Sequence, residues 1–426
     1  MLDRTQAPEF KTISKIDIAE ANHFKLKNGI PVYTVDAGSQ ELTRIEFIFK
    51  AGMYYQDAPL IAAAANNLIE NGTAKYNANQ ISDGIDFYGS FFETSCGQDY
   101  SSFALFSLNK HVDNTLSFVE ESIKNANYPQ QEIETYFINK KQKFLVNSKK
   151  VDAVARRVFG ELLFGKTHPY GIEVKAEDHD KVTREHVLNF YKKHYHSQNC
   201  TIIVAGKLPD NLEAILNKHL GNDKWGSGEA VAKRPIEVSA PKQHQHYIEK
   251  ADAVQSAIRV GRRLFNKTHP DYFNFQVLNT VLGGYFGSRL MANIREDKGY
   301  TYGIGSGLSS LVHDGYFFIS TEVGSDVTNN ALTEIYKEIE KLQNDLISEE
   351  ELETVRNYIL GQFLRSVEGP LALADKFRGI WEFGLGYDYY HRYFEAVKAV
   401  NPRQLRDLAI KYLQKPDLTE LVVGKK

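Results

Sequence analysis

The feature that most constrains this fold is an internal repeat. Residues 182–207 and 400–425 align without gaps at an offset of 218 residues. Each copy has apolar residues at helical spacing, then a short turn and a run typical of a buried strand that ends in glycine. Because each copy closes one half of the chain, the repeat predicts two similar domains of about 200 residues. Chance similarity between two short helix–strand units is the alternative. The identical pairs are Val182/Val400, Lys193/Lys411, Thr201/Thr419, Val204/Val422, Gly206/Gly424 and Lys207/Lys425.

The two halves are joined by a segment with the composition of a linker. Residues 221–233, GNDKWGSGEAVAK, are rich in glycine and polar residues. Strand-like segments open each half, and long helical segments follow without a strict β–α–β alternation, which predicts an α+β fold with mixed sheets. The predicted organisation is an N-terminal extension (1–18), a first domain (19–220), a linker (221–237) and a second domain (238–426).

Charge and hydropathy exclude two classes of partner. The chain has 51 basic and 54 acidic side chains and a net charge of −3, which offers no electrostatic footprint for nucleic acid. Its apolar stretches are far shorter than the roughly 20 residues that cross a bilayer, so we expect no membrane insertion. The N-terminus lacks the apolar core of a signal peptide, and two cysteines are too few for a disulfide framework. We expect a cytoplasmic protein; a periplasmic one, after removal of a signal absent from this sequence, is the alternative.

Two local motifs suggest ligands that their context does not support. Residues 160–167, GELLFGKT, satisfy the P-loop pattern, but a P-loop requires a strand before it and a helix after it. Here a helical pattern comes first, so we expect a helix C-terminus and no nucleotide. His194 and His196 could share one side of an extended segment and bind a metal. No acidic or cysteine partner stands at a supporting spacing, so we expect surface histidines.

A longer motif in the second half is specific to one family. Residues 283–306, GGYFGSRLMANIREDKGYTYGIGS, closely resemble the second-domain signature of the pitrilysin, insulin-degrading enzyme and mitochondrial processing peptidase family of zinc metallopeptidases (inverzincins). Segments of the first half, KLKNGIPVYTVDAG, NGT and FGKTHPYG, resemble it too. The resemblance implies two similar halves, each a mixed, mostly antiparallel sheet with helices on one face, which together form a half-chamber.

The resemblance also identifies a degenerate zinc motif. Active members carry H-x-x-E-H on the first core helix, so that two histidines share one face beside the glutamate that activates water. Counting back from the NGT segment places Ala63 and Asn67 at the two histidine positions and Asn66 at the glutamate position. The distal glutamate ligand should fall near Gln142 or Lys143, where no carboxylate stands. We therefore expect this chain to bind no zinc itself.

Two residues of the second-half signature match the family pattern. Arg295 and Tyr302, seven residues apart, correspond to a pair that family members direct at the zinc site. The resemblance implies that the tyrosine hydroxyl donates to the scissile carbonyl and that the arginine binds substrate. We expect Ser288–Asp297 to be a helix, and we expect Tyr300, Tyr302 and Ile304 to share one face of the strand that follows. The alternative is that Arg295 offsets a helix dipole and Tyr302 is a packing aromatic.

These observations predict a non-catalytic, substrate-binding subunit of a heterodimeric zinc peptidase. A homologous partner with H-x-x-E-H would supply zinc and the general base, and this chain would supply Arg295 and Tyr302. The substrate would be a peptide. The alternative is a catalytically inactive scaffold or peptide-binding protein of the same fold, like the core subunits of respiratory complexes, where the zinc site is also lost.

Overall fold

The computed structural model describes residues 18–228 and 236–425. Residues 1–17, 229–235 and 426 lie outside the described ranges, and with them most of the predicted N-terminal extension and the middle of the predicted linker. Within these ranges, eleven strands form two sheets. The strands are β1 (Asn22–Lys25), β2 (Pro31–Asp36), β3 (Leu42–Phe49), β4 (Phe91–Cys96), β5 (Ser101–Leu108), β6 (Cys200–Gly206), β7 (Gln245–Glu249), β8 (Gln255–Leu264), β9 (Ile304–Ser310), β10 (Gly315–Gly324) and β11 (Thr419–Gly424).

Each sheet is mixed and mostly antiparallel. The first has the order β1-β2-β6-β3-β5-β4, and the second has the order β7-β11-β8-β10-β9. In the first sheet β2 and β6 are parallel, and in the second β7 and β11 are parallel; the other paired neighbours are antiparallel. In each sheet the last strand of its half, β6 or β11, is therefore inserted between earlier strands. This arrangement confirms the predicted α+β class with two similar halves.

Helices surround both sheets, and three π-helical turns interrupt the pattern at Asn217–Gly221, Thr280–Gly284 and Met291–Asp297. The α-helices are α1 (Ile61–Asn67), α2 (Ala78–Asp86), α3 (Val112–Asn125), α4 (Gln130–Asn147), α5 (Val151–Phe164), α6 (Arg184–His194), α7 (Leu212–Leu216), α8 (Tyr272–Asn279), α9 (Thr328–Asn344), α10 (Glu349–Arg365), α11 (Pro370–Trp381), α12 (Asp388–Ala399) and α13 (Pro402–Tyr412).

The two copies of the repeat form the same helix–strand unit. Thr183 and Asn401, which are 218 positions apart, are the N-caps of α6 and α13, and each side chain accepts a hydrogen bond from a backbone N–H three residues later. The strands β6 and β11 end at Gly206 and Gly424, with φ of 137° and 146°. A Cβ at Gly206 would lie 2.0 Å from the Leu42 carbonyl oxygen. Glycine is therefore required at this strand end.

Each half contributes one helix that packs on the sheet of the other half. Helices of the same half cover one face of each sheet. The other face of the first sheet is covered by α11, where Phe377 packs near Ile203. The corresponding face of the second sheet is covered by α5, where Phe159 packs near Leu421. The expected one-sided helix layer is present, and the structure adds a single helix from the opposite half on the second face.

The P-loop match belongs to the end of the exchanged helix α5. Residues 160–164 are helical, and Gly165 follows with φ of 91°. The backbone N–H groups of that stretch are hydrogen-bonded within the helix instead of lining a phosphate loop. The expectation of a helix C-terminus is confirmed.

Candidate functional site

The three positions of the degenerate zinc motif lie on one short helix. Ala63, Asn66 and Asn67 all belong to α1, which ends at Asn67. The helix therefore stops before the NGT segment at residues 71–73. The residues after it form a turn that leads to Gly72, whose φ is 153°. A Cβ there would lie 2.7 Å from the ring of Pro129, so glycine is required at this turn.

Asn66, at the position of the general base, is part of the protein core. Its side chain is completely buried. Its Nδ2 donates to the Ser102 carbonyl of β5 at 3.4 Å, and the Tyr195 hydroxyl donates to its Oδ1 at 3.2 Å. Both ends of the amide are thus satisfied by protein groups, as buried polar groups require. Asn66 is a structural contact and has no access to a water or a substrate.

Asn67, at a ligand position, is held in the same way. Its Nδ2 donates to the Tyr136 hydroxyl at 3.0 Å, and the Thr94 hydroxyl donates to its Oδ1 at 3.2 Å. Tyr136 lies on α4, the helix on which the distal glutamate was expected. Gln142 and Lys143, the expected positions, are exposed on that helix. The α4 residue that contacts Asn67 is therefore Tyr136, one to two turns earlier than the count along the sequence indicated.

These residues do not fit a zinc ion. Zinc in proteins is bound by thiolate, imidazole or carboxylate groups, whereas Ala63 offers a methyl group and the two asparagines offer neutral amides that are already bonded. In the part of the chain that the structure describes, no group of three histidine, cysteine, aspartate or glutamate side chains could hold a metal. No step involving zinc can be derived from this site.

The histidine pair at His194 and His196 corrects a prediction. Both side chains are buried, so they are not surface histidines. Burial, reinforced by the charge of Lys193, lowers the pKa of His194 to about 4 because the imidazolium loses its hydration. The neutral ring lies 3.2 Å from the Lys50 carbonyl and packs against Phe190 with a centroid distance of 4.4 Å. Sequence spacing gave no sign that these rings belong to the core.

Glu70 is a residue that sequence reasoning missed. It follows α1 and lines a cavity of about 290 Å³ together with Asp86, Ser82 and Phe91. Burial, and to a lesser extent the charge of Asp86, raises the pKa of Glu70 to about 7. An acidic residue within the apolar run LIENGT was the available signal, but no motif drew attention to it.

Arg295 lies in the second half, on the π-helical turn Met291–Asp297. The expected helix over Ser288–Asp297 is thus present in that turn, with π rather than α hydrogen bonding for most of its length. The guanidinium lies 4.6 Å from the centroid of the Phe286 ring, and its acidic neighbour Glu296 is 3.9 Å away, beyond hydrogen-bond distance. The aromatic ring therefore supports the guanidinium by a cation–π contact and leaves its N–H donors available.

Tyr302 is almost completely exposed, at 96%. The expectation that Tyr300–Ile304 forms a strand was wrong in part, because β9 begins at Ile304. The preceding residues form a bend, in which the Thr301 hydroxyl donates to the Glu322 carbonyl at 2.6 Å. This bend directs Tyr302 away from the sheet. The alternative interpretation of Tyr302 as a packing aromatic is contradicted by its exposure.

The structure does not join the two predicted site regions by direct contact. Among the described residues, no hydrogen bond or ion pair links Arg295 or Tyr302 to α1. The first region is closed by internal hydrogen bonds, and the second faces outward.

The family model, the related sequences and the solved structure that this chain resembles are all named as peptidases or proteases. Residues 181–359 match the family model described as "Peptidase M16 inactive domain". An "Uncharacterized zinc protease" of Rickettsia bellii is 23% identical over 397 residues, which cover 91% of this chain and 90% of that protein. A "Probable inactive metalloprotease YmfF" of Bacillus subtilis is 23% identical over 214 residues, covering 49% of each chain. The crystal structure of a "peptidase M16 inactive domain from Pseudomonas fluorescens" superposes with a TM-score of 0.85 at 22% identity, and covers 96% of this chain and 99% of that one.

A search for membrane spans gave a negative result. None of the helices in the described ranges combines the length and the apolar composition needed to cross a bilayer.

Proposed function

The chain belongs to the M16 family of peptidases, and from that premise we propose that it is the non-catalytic, substrate-binding subunit of a heterodimeric zinc peptidase. The observation that carries this proposal is the contrast between the two site regions. The side-chain amides of the two asparagines in the zinc motif are hydrogen-bonded to other residues of the chain. In contrast, Tyr302 is 96% exposed, in the part of the second half that carries the family signature.

In this proposal the pair acts on a molecule bound at the surface of this chain, which the exposed Tyr302 and the half-buried Arg295 can both reach. A phenol hydroxyl is a neutral donor, and it stabilises a carbonyl oxygen most when that oxygen becomes an oxyanion. A guanidinium offers several donors in a fixed plane and binds substrate carbonyl or carboxylate oxygens. Because Tyr302 has no hydrogen-bond partner among the described residues, its hydroxyl is available for this role. In this proposal Tyr302 polarises the scissile carbonyl and Arg295 holds the peptide.

The remaining groups would come from the partner. A homologous subunit with an intact H-x-x-E-H motif would supply zinc and the general base, because Ala63, Asn66 and Asn67 supply neither. The substrates would be peptides or unfolded segments small enough to enter the chamber that the two subunits enclose.

A catalytically inactive scaffold or peptide-binding protein of the same fold is the second candidate. The closure of the α1 region favours it, since a scaffold needs no open site there. The exposure of Tyr302 favours the peptidase subunit, because a scaffold does not need a phenol hydroxyl that is available to a substrate.

Affinity capture of the tagged chain from its source cells, followed by mass spectrometry, tests the proposal. We expect a relative of similar size that carries H-x-x-E-H, and peptide cleavage by the captured complex that a chelator abolishes. Recovery of the chain alone, or with unrelated proteins and no cleavage, would favour the scaffold.

Substitution in the complex tests the role of Tyr302. We expect Tyr302→Phe to lower kcat by about 10²–10³, the cost of one oxyanion donor, without preventing assembly. Tyr300→Phe is the matched control, because it removes a hydroxyl only two residues before Tyr302. It should leave kcat unchanged. Undiminished turnover of Tyr302→Phe would remove this residue from the mechanism.

A further inference from the structure

A cavity in the second half contains a lysine that forms no ion pair with any of the described residues. It has a volume of about 460 Å³ and lies between α8 with its following π-helical turn, α10, α11 and α12. We call it the Lys376 cavity, because Lys376 of α11 is the one charged residue among the described residues that line it. The other lining groups include the amides of Gln276 and Gln362, the phenol of Tyr393 and the ring of Phe363.

The ammonium of Lys376 is oriented by an aromatic ring and not by a carboxylate. Its Nζ lies 5.1 Å from the centroid of the Phe363 ring, which is itself part of the wall. Within the described ranges, no carboxylate oxygen lies within 4 Å of this Nζ. The acidic neighbour Asp375 forms an ion pair with Arg44 of the first sheet at 2.7 Å. Asp375 is therefore already paired with another cation.

The surroundings make an unpaired cation costly. Lys376 is half-buried, and its burial, only partly offset by the charge of Asp375, lowers the pKa of its ammonium. The pKa of a second lysine, Lys267, is lowered mainly by burial; the charge of Glu382 opposes this effect and the charge of Lys376 adds to it. The Lys267 ammonium donates to the neutral carbonyl of Gly379 at 2.8 Å. An anion bound in the cavity would stabilise the half-buried ammonium of Lys376.

We infer that the Lys376 cavity binds a carboxylate. One ammonium matches a single negative charge, and neutral amide and phenol groups can donate to its oxygens. A phosphate dianion, in contrast, is usually bound by arginine forks or several backbone N–H groups. The volume falls in the range of roughly 300–1,000 Å³ that is typical of small-ligand sites. The apolar part of the wall, from Leu308, Ile359 and Phe363, suits a ligand that carries an apolar group next to its carboxylate.

Two sources could provide such a carboxylate: a free carboxylic acid, or the C-terminus of a peptide. The inference does not depend on the proposed peptidase role, since the cavity is formed by this chain alone. Three probes separate the sources: N-acetyl-leucine, the tripeptide N-acetyl-Ala-Ala-Leu with a free carboxylate, and the same tripeptide as its amide. Binding is measured by isothermal titration calorimetry on the full chain without a partner.

We expect at least one free-acid probe to bind about tenfold or more tightly than the amide, and Lys376→Gln to abolish that difference. Preference for N-acetyl-leucine identifies a free acid as the ligand, and preference for the tripeptide acid identifies a peptide C-terminus. Lys110→Gln, which removes an exposed lysine of the first half, is the control and should bind like the unmodified chain.

Three results would overturn the inference: equal affinity for acid and amide, an unaffected Lys376→Gln variant, or no binding of either acid up to about 10 mM. If Lys376→Gln does not fold, the wild-type chain still gives an answer. Reductive ¹³C-methylation keeps the charge of Lys376, and its resonance should shift with the acid tripeptide and not with the amide. A resonance that does not respond to either free acid contradicts the inference as well.

Discussion

The α1 region of the first half and the Arg–Tyr segment of the second half use polar side chains in opposite ways. Asn66 is completely buried and bonded at both ends of its amide. Tyr302 is 96% exposed. The difference shows that one chain can close off the polar side chains of one region and leave those of another accessible. Polar groups that complete each other's hydrogen bonds are no longer available to a substrate, whereas a group directed outward stays available but depends on another molecule.

The largest expected effect comes from an attempt to open the closed region. The triple variant Ala63→His, Asn66→Glu, Asn67→His restores the H-x-x-E-H pattern. The new carboxylate would be buried next to the Ser102 carbonyl oxygen, so we expect the free energy of unfolding to fall by about 3–5 kcal/mol. We expect neither zinc binding nor peptide hydrolysis, because the α4 residue that contacts position 67 is Tyr136.

The measurement is urea unfolding together with a zinc competition assay. The single variant Asn67→His is the control: its position is half-buried, and it should lose much less stability than the triple variant. A triple variant that binds zinc tightly and keeps its stability would show that the α1 region is open, and the comparison would no longer hold.

The second effect concerns Glu70, at the edge of the closed region. Its pKa is raised to about 7 in the folded chain, from an ordinary value of 4.5. The folded state therefore binds a proton that the unfolded state has already lost, and stability falls as the pH rises from about 4.5 to about 7. At higher pH the loss reaches at most about 3 kcal/mol, at 1.36 kcal/mol per pKa unit. Below pH 4.5 both states are protonated and the effect vanishes.

Urea unfolding between pH 4 and pH 8 measures this dependence. Glu70→Gln should flatten the slope and stabilise the chain at pH 8. Asp86→Asn, which removes the charge that adds to the burial effect, should recover a smaller part of the loss. Parallel pH profiles for the unmodified chain and Glu70→Gln would mean that the first half tolerates an ionised carboxylate next to α1.

The parts of the molecule that follow from local pattern could be predicted from the sequence. The repeat predicted the unit of α6 and β6 and the unit of α13 and β11. This was possible because an N-cap or a strand-ending glycine determines the backbone conformation within a few residues. The context of GELLFGKT was enough to exclude a P-loop. The position of the degenerate motif came from the family resemblance, through its distance to Gly72 and Thr73, and stays a prediction.

Contacts between distant parts of the chain could not be predicted in this way. The hydrogen bond between Tyr195 and Asn66 joins residues 129 positions apart, and no local pattern indicates it. The same is true of the burial of His194 and His196, and of the exchange of α5 and α11 between the sheets. The bend at Tyr302 has alternating residues typical of a strand, but the hydrogen bond from Thr301 to Glu322 holds it outside β9.

The smallest expected effect completes the comparison, because it concerns a residue that should contribute nothing to the fold. Tyr302→Ala removes a side chain without packing neighbours, so the free energy of unfolding should change by less than about 0.5 kcal/mol. Tyr195→Phe removes only one oxygen, but it leaves the buried Oδ1 of Asn66 without its donor. We expect it to cost about 1–3 kcal/mol. Both values come from urea unfolding of the isolated chain at one pH. If Tyr302→Ala were the more damaging substitution, Tyr302 would be a structural residue, and the second half would be closed in the same way as the first.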